Sequence, residues 1–197
     1  MRIKDWKKDL FTIPNLLSLF RLLLIPVYVV IYLNANDYRD YFIAAAILAV
    51  SCLTDLIDGK IARHFNMIST IGKILDPLAD KATQFALIMC LSVKYPVLWY
   101  LIGCFIVKEG FQLVAGSIYW RKGIMLKGAL ITGKICTTVL FVSLILMVLI
   151  PELPSNAVKL ITVVDLVFMM ISFTDYLLTY IRRANRFQSI NRPDDSQ

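Results

Sequence analysis

The sequence predicts an all-α polytopic membrane protein, with six transmembrane helices and an N-terminal amphipathic helix at the interface. Three observations predict it. Of the 197 residues 58% are apolar, against roughly 45–50% in soluble domains. Only 18% are charged, and the mean hydropathy is +0.69. The apolar residues are gathered into six runs, each near the ~20 residues a helix needs to cross ~30 Å of hydrocarbon. This balance excludes a disordered chain and an ordinary soluble enzyme. The formal net charge is +7. In a chain this apolar, that excess points to cytoplasmic loops and anionic lipid, and no nucleic-acid partner is expected.

Residues 1–12 mix Lys and Arg with Ile3, Trp6, Leu10 and Phe11 at helical spacing, the pattern of a helix lying on the membrane surface. The apolar runs follow at 14–33, 41–62, 73–93, 97–120, 128–150 and 157–181. Pro96, Pro151 and Pro154 fall in or beside the breaks, as helix-ending residues should. Residues 13–182 are therefore read as one transmembrane domain and 183–197 as a polar cytoplasmic tail. The first run is too long for a cleaved signal and lacks a small-residue cleavage site, so it is expected to stay in the mature protein. The cysteines, Cys52, Cys90, Cys104 and Cys136, lie in apolar stretches without metal-ligand spacing and read as packing residues. Trp6, Trp99 and Trp120 fall near run ends, as an interfacial aromatic belt requires.

Orientation follows from the Lys and Arg residues. With six spans both termini share a side, and 14 of the 21 basic residues fall on that side. The opposite side carries Arg39, Lys94 and Lys159. The positive-inside rule then puts both termini in the cytoplasm. The other basic residues, Arg21, Lys81, Lys108 and Lys134, lie inside apolar runs, as do Asp55, Asp58, Asp76, Asp80, Glu109, Asp165 and Asp175. Each such group costs at least ~2.5 kcal/mol on insertion scales. Asp175 and Asp165 are read as near enough to helix ends to snorkel; the others should gather at a water-filled cavity open to the cytoplasm.

The densest group runs from Asp55 to Asp80. On a helix, Asp55, Asp58, Gly59 and Ala62 share one face, and Gly72, Asp76 and Asp80 share another. The two helices are consecutive, so their cytoplasmic ends bring four carboxylates together. Carboxylates packed this way repel one another unless a cation intervenes. An all-oxygen set favours a hard divalent ion, and two such ions balance four charges. Gly59, Ala62 and Gly72 leave room for a ligand to approach the backbone. Arg63 and Lys73 stand at the mouth, where phosphates are held. The combination points to metal-assisted displacement at a phosphoryl centre. Pro77 is compatible with a helix starting near Gly72, where a first-turn proline loses no needed donor. A divalent-cation or proton transporter is the reading from another class. It is disfavoured because the acids cluster at one membrane face and no internal repeat is evident.

The pattern Asp-x-x-Asp-Gly-x-x-Ala-Arg-x8-Gly-x3-Asp-x3-Asp, complete here from Asp55 to Asp80, resembles the signature of the CDP-alcohol phosphatidyltransferases. The stretch Ile13-Pro14-Asn15-Leu16-Leu17-Ser18-Leu19-Phe20-Arg21 is similar to the start of that family's first spanning helix. The resemblance implies an integral membrane enzyme that moves a phosphatidyl group from CDP-diacylglycerol to an alcohol and releases CMP. It implies a two-metal site of Mg²⁺ or Mn²⁺ on Asp55, Asp58, Asp76 and Asp80, with Asp80 also the general base. Gly59, Ala62, Arg63 and Gly72, with Lys73 beside them, would shape the CDP site. A homodimer is also implied.

Within the family, the Ile-Pro-Asn-Leu-Leu opening and the Leu75–Lys81 run resemble the phosphatidylglycerophosphate and cardiolipin synthases. Enzymes using glycerol 3-phosphate tend to carry more cations than this chain has at Val107-Lys108-Glu109, Gly116 and Gly133-Lys134-Ile135-Cys136-Thr137. Lys108, Lys134 and Arg21 are the candidate acceptor contacts. Glycerol 3-phosphate and phosphatidylglycerol both remain as acceptors, because a phosphomonoester wants several cations. Lys108 has a carboxylate neighbour in Glu109 that would serve it as a partner instead. His64, the single histidine, is read as a bystander or a phosphate contact.

Overall fold

A computed structural model describes residues 12–64, 72–121, 130–150 and 152–190. Side chains within 55–64, 73–74, 120–121 and 184–190, and those of Ile13 and Pro14, are not among the described ones. The described residues form six α-helices and no strand. They are α1 (Ile13–Leu33), α2 (Tyr38–His64), α3 (Gly72–Lys94), α4 (Leu98–Arg121), α5 (Ile131–Leu149) and α6 (Ser155–Ile190). The expected surface helix at 1–12 lies outside the described residues, apart from Thr12.

Local chemistry explains the helix ends. Thr12 is extended, with φ −83° and ψ 148°, and Pro14 sits in the first turn of α1, where its missing N–H is not needed. Asp40, in the first turn of α2, reaches back to the backbone N–H groups of Asn36 and Asp37 at 3.0 and 3.3 Å. That reciprocal arrangement satisfies donors a helix start leaves without partners. Helix α3 begins at Gly72 as expected, but Pro77 is its sixth residue, not a first-turn one. It therefore costs the second turn of α3 a backbone donor. Helix α6 runs to Ile190, so the expected tail begins as helix.

Among the described residues, four helices are long and apolar enough to cross a membrane: Asn15–Leu33, Leu98–Tyr119, Ile131–Leu149 and Ser155–Arg183. Between 22 and 33% of each apolar window is buried inside the fold. Leu23, Val93, Leu113 and Ile131 face outward. An apolar surface of that extent is covered by lipid in an integral membrane protein. Helices α2 and α3, of 27 and 23 residues, are long enough as well. Their adjoining ends carry the charges of the Asp55–Asp80 motif.

The described helices fall into two compact units. The first holds α1, α2 and α3 with the end of α5. There α1 packs against both α2 and α3, and Ala44 and Ala79 are fully buried, small enough for backbones to approach closely. At the end remote from the motif, Tyr28 and Tyr32 stack, Tyr41 meets Tyr32 edge-on, and Lys94 lies 4.8 Å over the Tyr41 ring.

The second unit holds α4, most of α5, and α6. Phe111 meets Phe173 and Tyr180 edge-on at 5.2 and 5.8 Å. The Tyr119 hydroxyl donates to the Tyr180 carbonyl at 2.7 Å, and the Leu130 N–H donates to the Tyr176 hydroxyl at 3.2 Å. Asp175 accepts from the Thr132 hydroxyl at 2.6 Å. Asp165 departs from expectation. It does not snorkel: it is buried within α6 and accepts the Ser143 hydroxyl at 2.9 Å. An acid that far from a helix end cannot reach water, so it finds a hydroxyl on α5 instead. No disulfide joins the cysteines, which lie within the helices, Cys90 and Cys136 buried and Cys52 and Cys104 half-buried.

Candidate active site

The site builds up from two polar stripes on apolar helices of the first unit. On α1, Asn15, Ser18 and Arg21 recur every three residues and are all buried. On α3, Gly72, Asp76 and Asp80 recur every four. Because α1 packs on α3, the two stripes meet. The Ser18 hydroxyl donates to Asp76 Oδ1. Arg21 Nη1 donates to Asp80 Oδ1 at 2.6 Å.

The two partners of the second contact differ in setting. The Arg21 side chain is 2% exposed, that of Asp80 48%. A guanidinium cannot be stripped of water at this depth without a counter-charge, and the carboxylate supplies it. Asp80 keeps about half of its side chain uncovered by the fold.

Asp55, Asp58, Gly59, Ala62 and Arg63 lie in the last turns of α2, and Lys73 in the first turn of α3. Their side chains are outside the described ones. The motif thus straddles the end of one helix and the start of the next, on either side of residues 65–71. His64 closes α2, and its side chain too lies outside the description. Among the described residues no three acids, histidines or cysteines converge. The chemistry of Asp76 and Asp80 nonetheless fits a hard divalent ion. Both present oxygen donors on one helix face, and their partners come from a separate helix, as outer contacts to metal ligands do.

The two candidate acceptor lysines belong to the second unit. Lys108 is buried and donates to its neighbour Glu109 at 2.7 Å, so its charge is matched within α4. Lys134 is exposed in the first turn of α5. Arg21, the third acceptor candidate, is engaged with Asp80. Ser18 is the site residue that sequence reasoning passed over. Its signal was present: with Asn15 and Arg21 it completes a buried polar stripe at three-residue spacing in an otherwise apolar helix.

Comparison with known proteins shows the family. The family model of the CDP-alcohol phosphatidyltransferases matches residues 11–178, and the chain belongs to that family. A CDP-diacylglycerol–glycerol-3-phosphate 3-phosphatidyltransferase of Aquifex aeolicus is 32% identical over 84% of this chain and 94% of its own length. A putative cardiolipin synthase of Mycobacterium tuberculosis is 34% identical over 64% of this chain and 59% of its own. A cardiolipin synthase–hydrolase fusion protein of Schizosaccharomyces pombe is 43% identical over 45% of this chain, which spans 14% of that longer protein. Enzymes of this family are generally dependent on a divalent metal.

Proposed function

We propose that the chain transfers the phosphatidyl group of CDP-diacylglycerol to glycerol 3-phosphate, giving phosphatidylglycerophosphate and CMP. The observation that carries this is the complete Asp55–Asp80 motif, with Asp76 and Asp80 aligned on one face of α3 beside Arg21 and Ser18 of α1. The Aquifex relative, matched over nearly its whole length, supports glycerol 3-phosphate as acceptor.

Asp55, Asp58, Asp76 and Asp80 would hold two Mg²⁺ or Mn²⁺ ions. The bound metal supplies Lewis-acid stabilisation of the pyrophosphate charge. The remaining steps belong to the chain's own residues. Arg63 and Lys73 hold the donor phosphates, and Gly59, Ala62 and Gly72 let the CDP portion approach the backbone. Asp80 takes the proton of the acceptor hydroxyl as its oxygen attacks the phosphorus bearing the diacylglycerol. The bond from that phosphorus to the bridging oxygen breaks, and CMP departs with the electron pair. Six membrane crossings, with both termini and the site on the cytoplasmic face, fit the charge distribution. A homodimer, as the family resemblance implies, belongs to the same proposal.

Cardiolipin synthesis from phosphatidylglycerol is the second reading. It is favoured by Lys108, whose pairing with Glu109 leaves less positive charge for a phosphomonoester, and by the mycobacterial relative. An acceptor panel decides. The protein, reconstituted in lipid with Mg²⁺ or Mn²⁺ and CDP-diacylglycerol, is offered glycerol 3-phosphate, phosphatidylglycerol, inositol phosphate and serine. CMP release with glycerol 3-phosphate is expected. Release with phosphatidylglycerol alone would select the second reading, and no release with any acceptor would remove both.

A further inference from the structure

Helix α1 contributes to the site in a way that neither acceptor binding nor the metal-ligand set accounts for. Ser18 and Arg21 are one turn apart on α1, and Asp76 and Asp80 one turn apart on α3. The two contacts form consecutive rungs between the helices. Each rung engages one oxygen of its carboxylate. A hydrogen bond to one carboxylate oxygen restrains rotation of the group and so biases the direction in which the second oxygen points. The two donors are more deeply buried than the carboxylates they hold. Rigid groups thus orient more accessible ones, the arrangement expected of an outer shell around a reactive centre.

We propose that Ser18 and Arg21 are positioning residues: a two-rung clasp by which α1 sets the carboxylates of Asp76 and Asp80 for metal binding and for proton abstraction. Arg21 then acts through Asp80 and does not hold the acceptor. This rests on the reading of Asp76 as a metal ligand and Asp80 as the base. Its reach is different, however: it makes the first spanning helix part of the catalytic apparatus.

The test separates the clasp from the activity on which it depends. Wild-type CMP release establishes the activity. Mn²⁺ alone, without either lipid substrate, then titrates wild type, Ser18→Ala, Ser18→Thr, Arg21→Gln and Arg21→Lys, with free Mn²⁺ read by electron paramagnetic resonance. Ser18→Ala should weaken Mn²⁺ binding about tenfold, the lower end of the range for outer-shell partners, and Ser18→Thr should restore most of that loss. Arg21→Gln should lower kcat about tenfold or more while the acceptor KM stays within about twofold. Arg21→Lys, which keeps a charge but not the planar fork, should fall between. Three outcomes overturn the proposal. The first is an unchanged Mn²⁺ affinity in Ser18→Ala. The second is a Ser18→Thr variant no better than Ser18→Ala. The third is a raised acceptor KM at unchanged kcat in Arg21→Gln, which would make Arg21 an acceptor contact. If Arg21→Gln fails to fold, the Ser18 pair and Arg21→Lys decide alone. An inactive wild type that binds Mn²⁺ more tightly than Ser18→Ala would count against the proposed reaction, not against the clasp.

Discussion

Asp80 is where charge, exposure and chemistry meet on one side chain. It is half exposed, yet bound to a guanidinium that is almost wholly buried. Asp80→Asn keeps the size and one oxygen but cannot take up the hydroxyl proton. Its kcat should fall at least ~10²-fold, the lower bound for a general base, with binding of the CDP lipid largely intact. Asp55→Asn or Asp58→Asn should act earlier, by weakening Mn²⁺ binding. Equilibrium binding of Mn²⁺ and of the CDP lipid, measured beside turnover, checks both. A second residue-scale prediction concerns Gly133. A Cβ there would lie 2.8 Å from the Tyr176 hydroxyl and 2.9 Å from its ring, and that hydroxyl accepts the Leu130 N–H. Gly133→Ala should therefore destabilise the protein by about 1–3 kcal/mol, the usual cost of overpacking. A thermal melt in detergent would read it. Tyr176→Phe in the same background should recover part of the loss, because the clashing oxygen is gone.

At the scale of the element, what the sequence disclosed depended on the kind of signal. The six apolar runs were legible because length and hydropathy are properties of a whole segment, and their ends agree with the helices to within three residues, except that α6 continues nine residues past its run. Asp76 and Asp80 were legible because acids spaced by four in an apolar helix demand a reason. Ser18 was not. Hydroxyls in apolar helices commonly bond back to their own backbone, as Thr83, Thr162 and Thr174 do here. Only the three-residue spacing with Asn15 and Arg21 separates this serine, which bonds across to α3, from threonines that bond back. Asp165 was misread because distance to water depends on where α6 packs, not on position along the chain. The start of α2 offers a test of an element in isolation. The N–H groups of Asn36 and Asp37 hold the Asp40 carboxyl below its ordinary value of 3.8. A depressed carboxyl stabilises the fold above the unfolded value, and that contribution is lost as pH falls through the folded one. Asp40→Ala should therefore melt below wild type at pH 6, and the gap should close in the acid range below about pH 4. A gap that stayed constant down to the most acid point would exclude the carboxylate as its source.

For the whole molecule, α2 and α3 differ from their neighbours in a way that sets depth. Their uncharged parts run only from 41 to 54 and from 82 to 93, or about 21 and 18 Å of helix. The hydrocarbon layer is about 30 Å thick. If both helices cross, as proposed, the aspartates lie below the level of the lipid headgroups, unless the bilayer thins to meet them. Turnover in phosphatidylcholine bilayers of increasing chain length should then be highest in thin membranes and fall in thick ones, since mismatch is relieved by thinning. Identical rates across the series would argue against a recessed site.

Such a recess would also sort the products without any moving part. The donor need only lower its diphosphate, because its acyl chains already lie in the leaflet. When the phosphoryl bond changes hands, the nucleotide fragment has lost the only anchor it had and leaves toward water, while the new phospholipid slips sideways into the bilayer. Two phases meeting at one set of carboxylates would carry the products apart and oppose the reverse reaction.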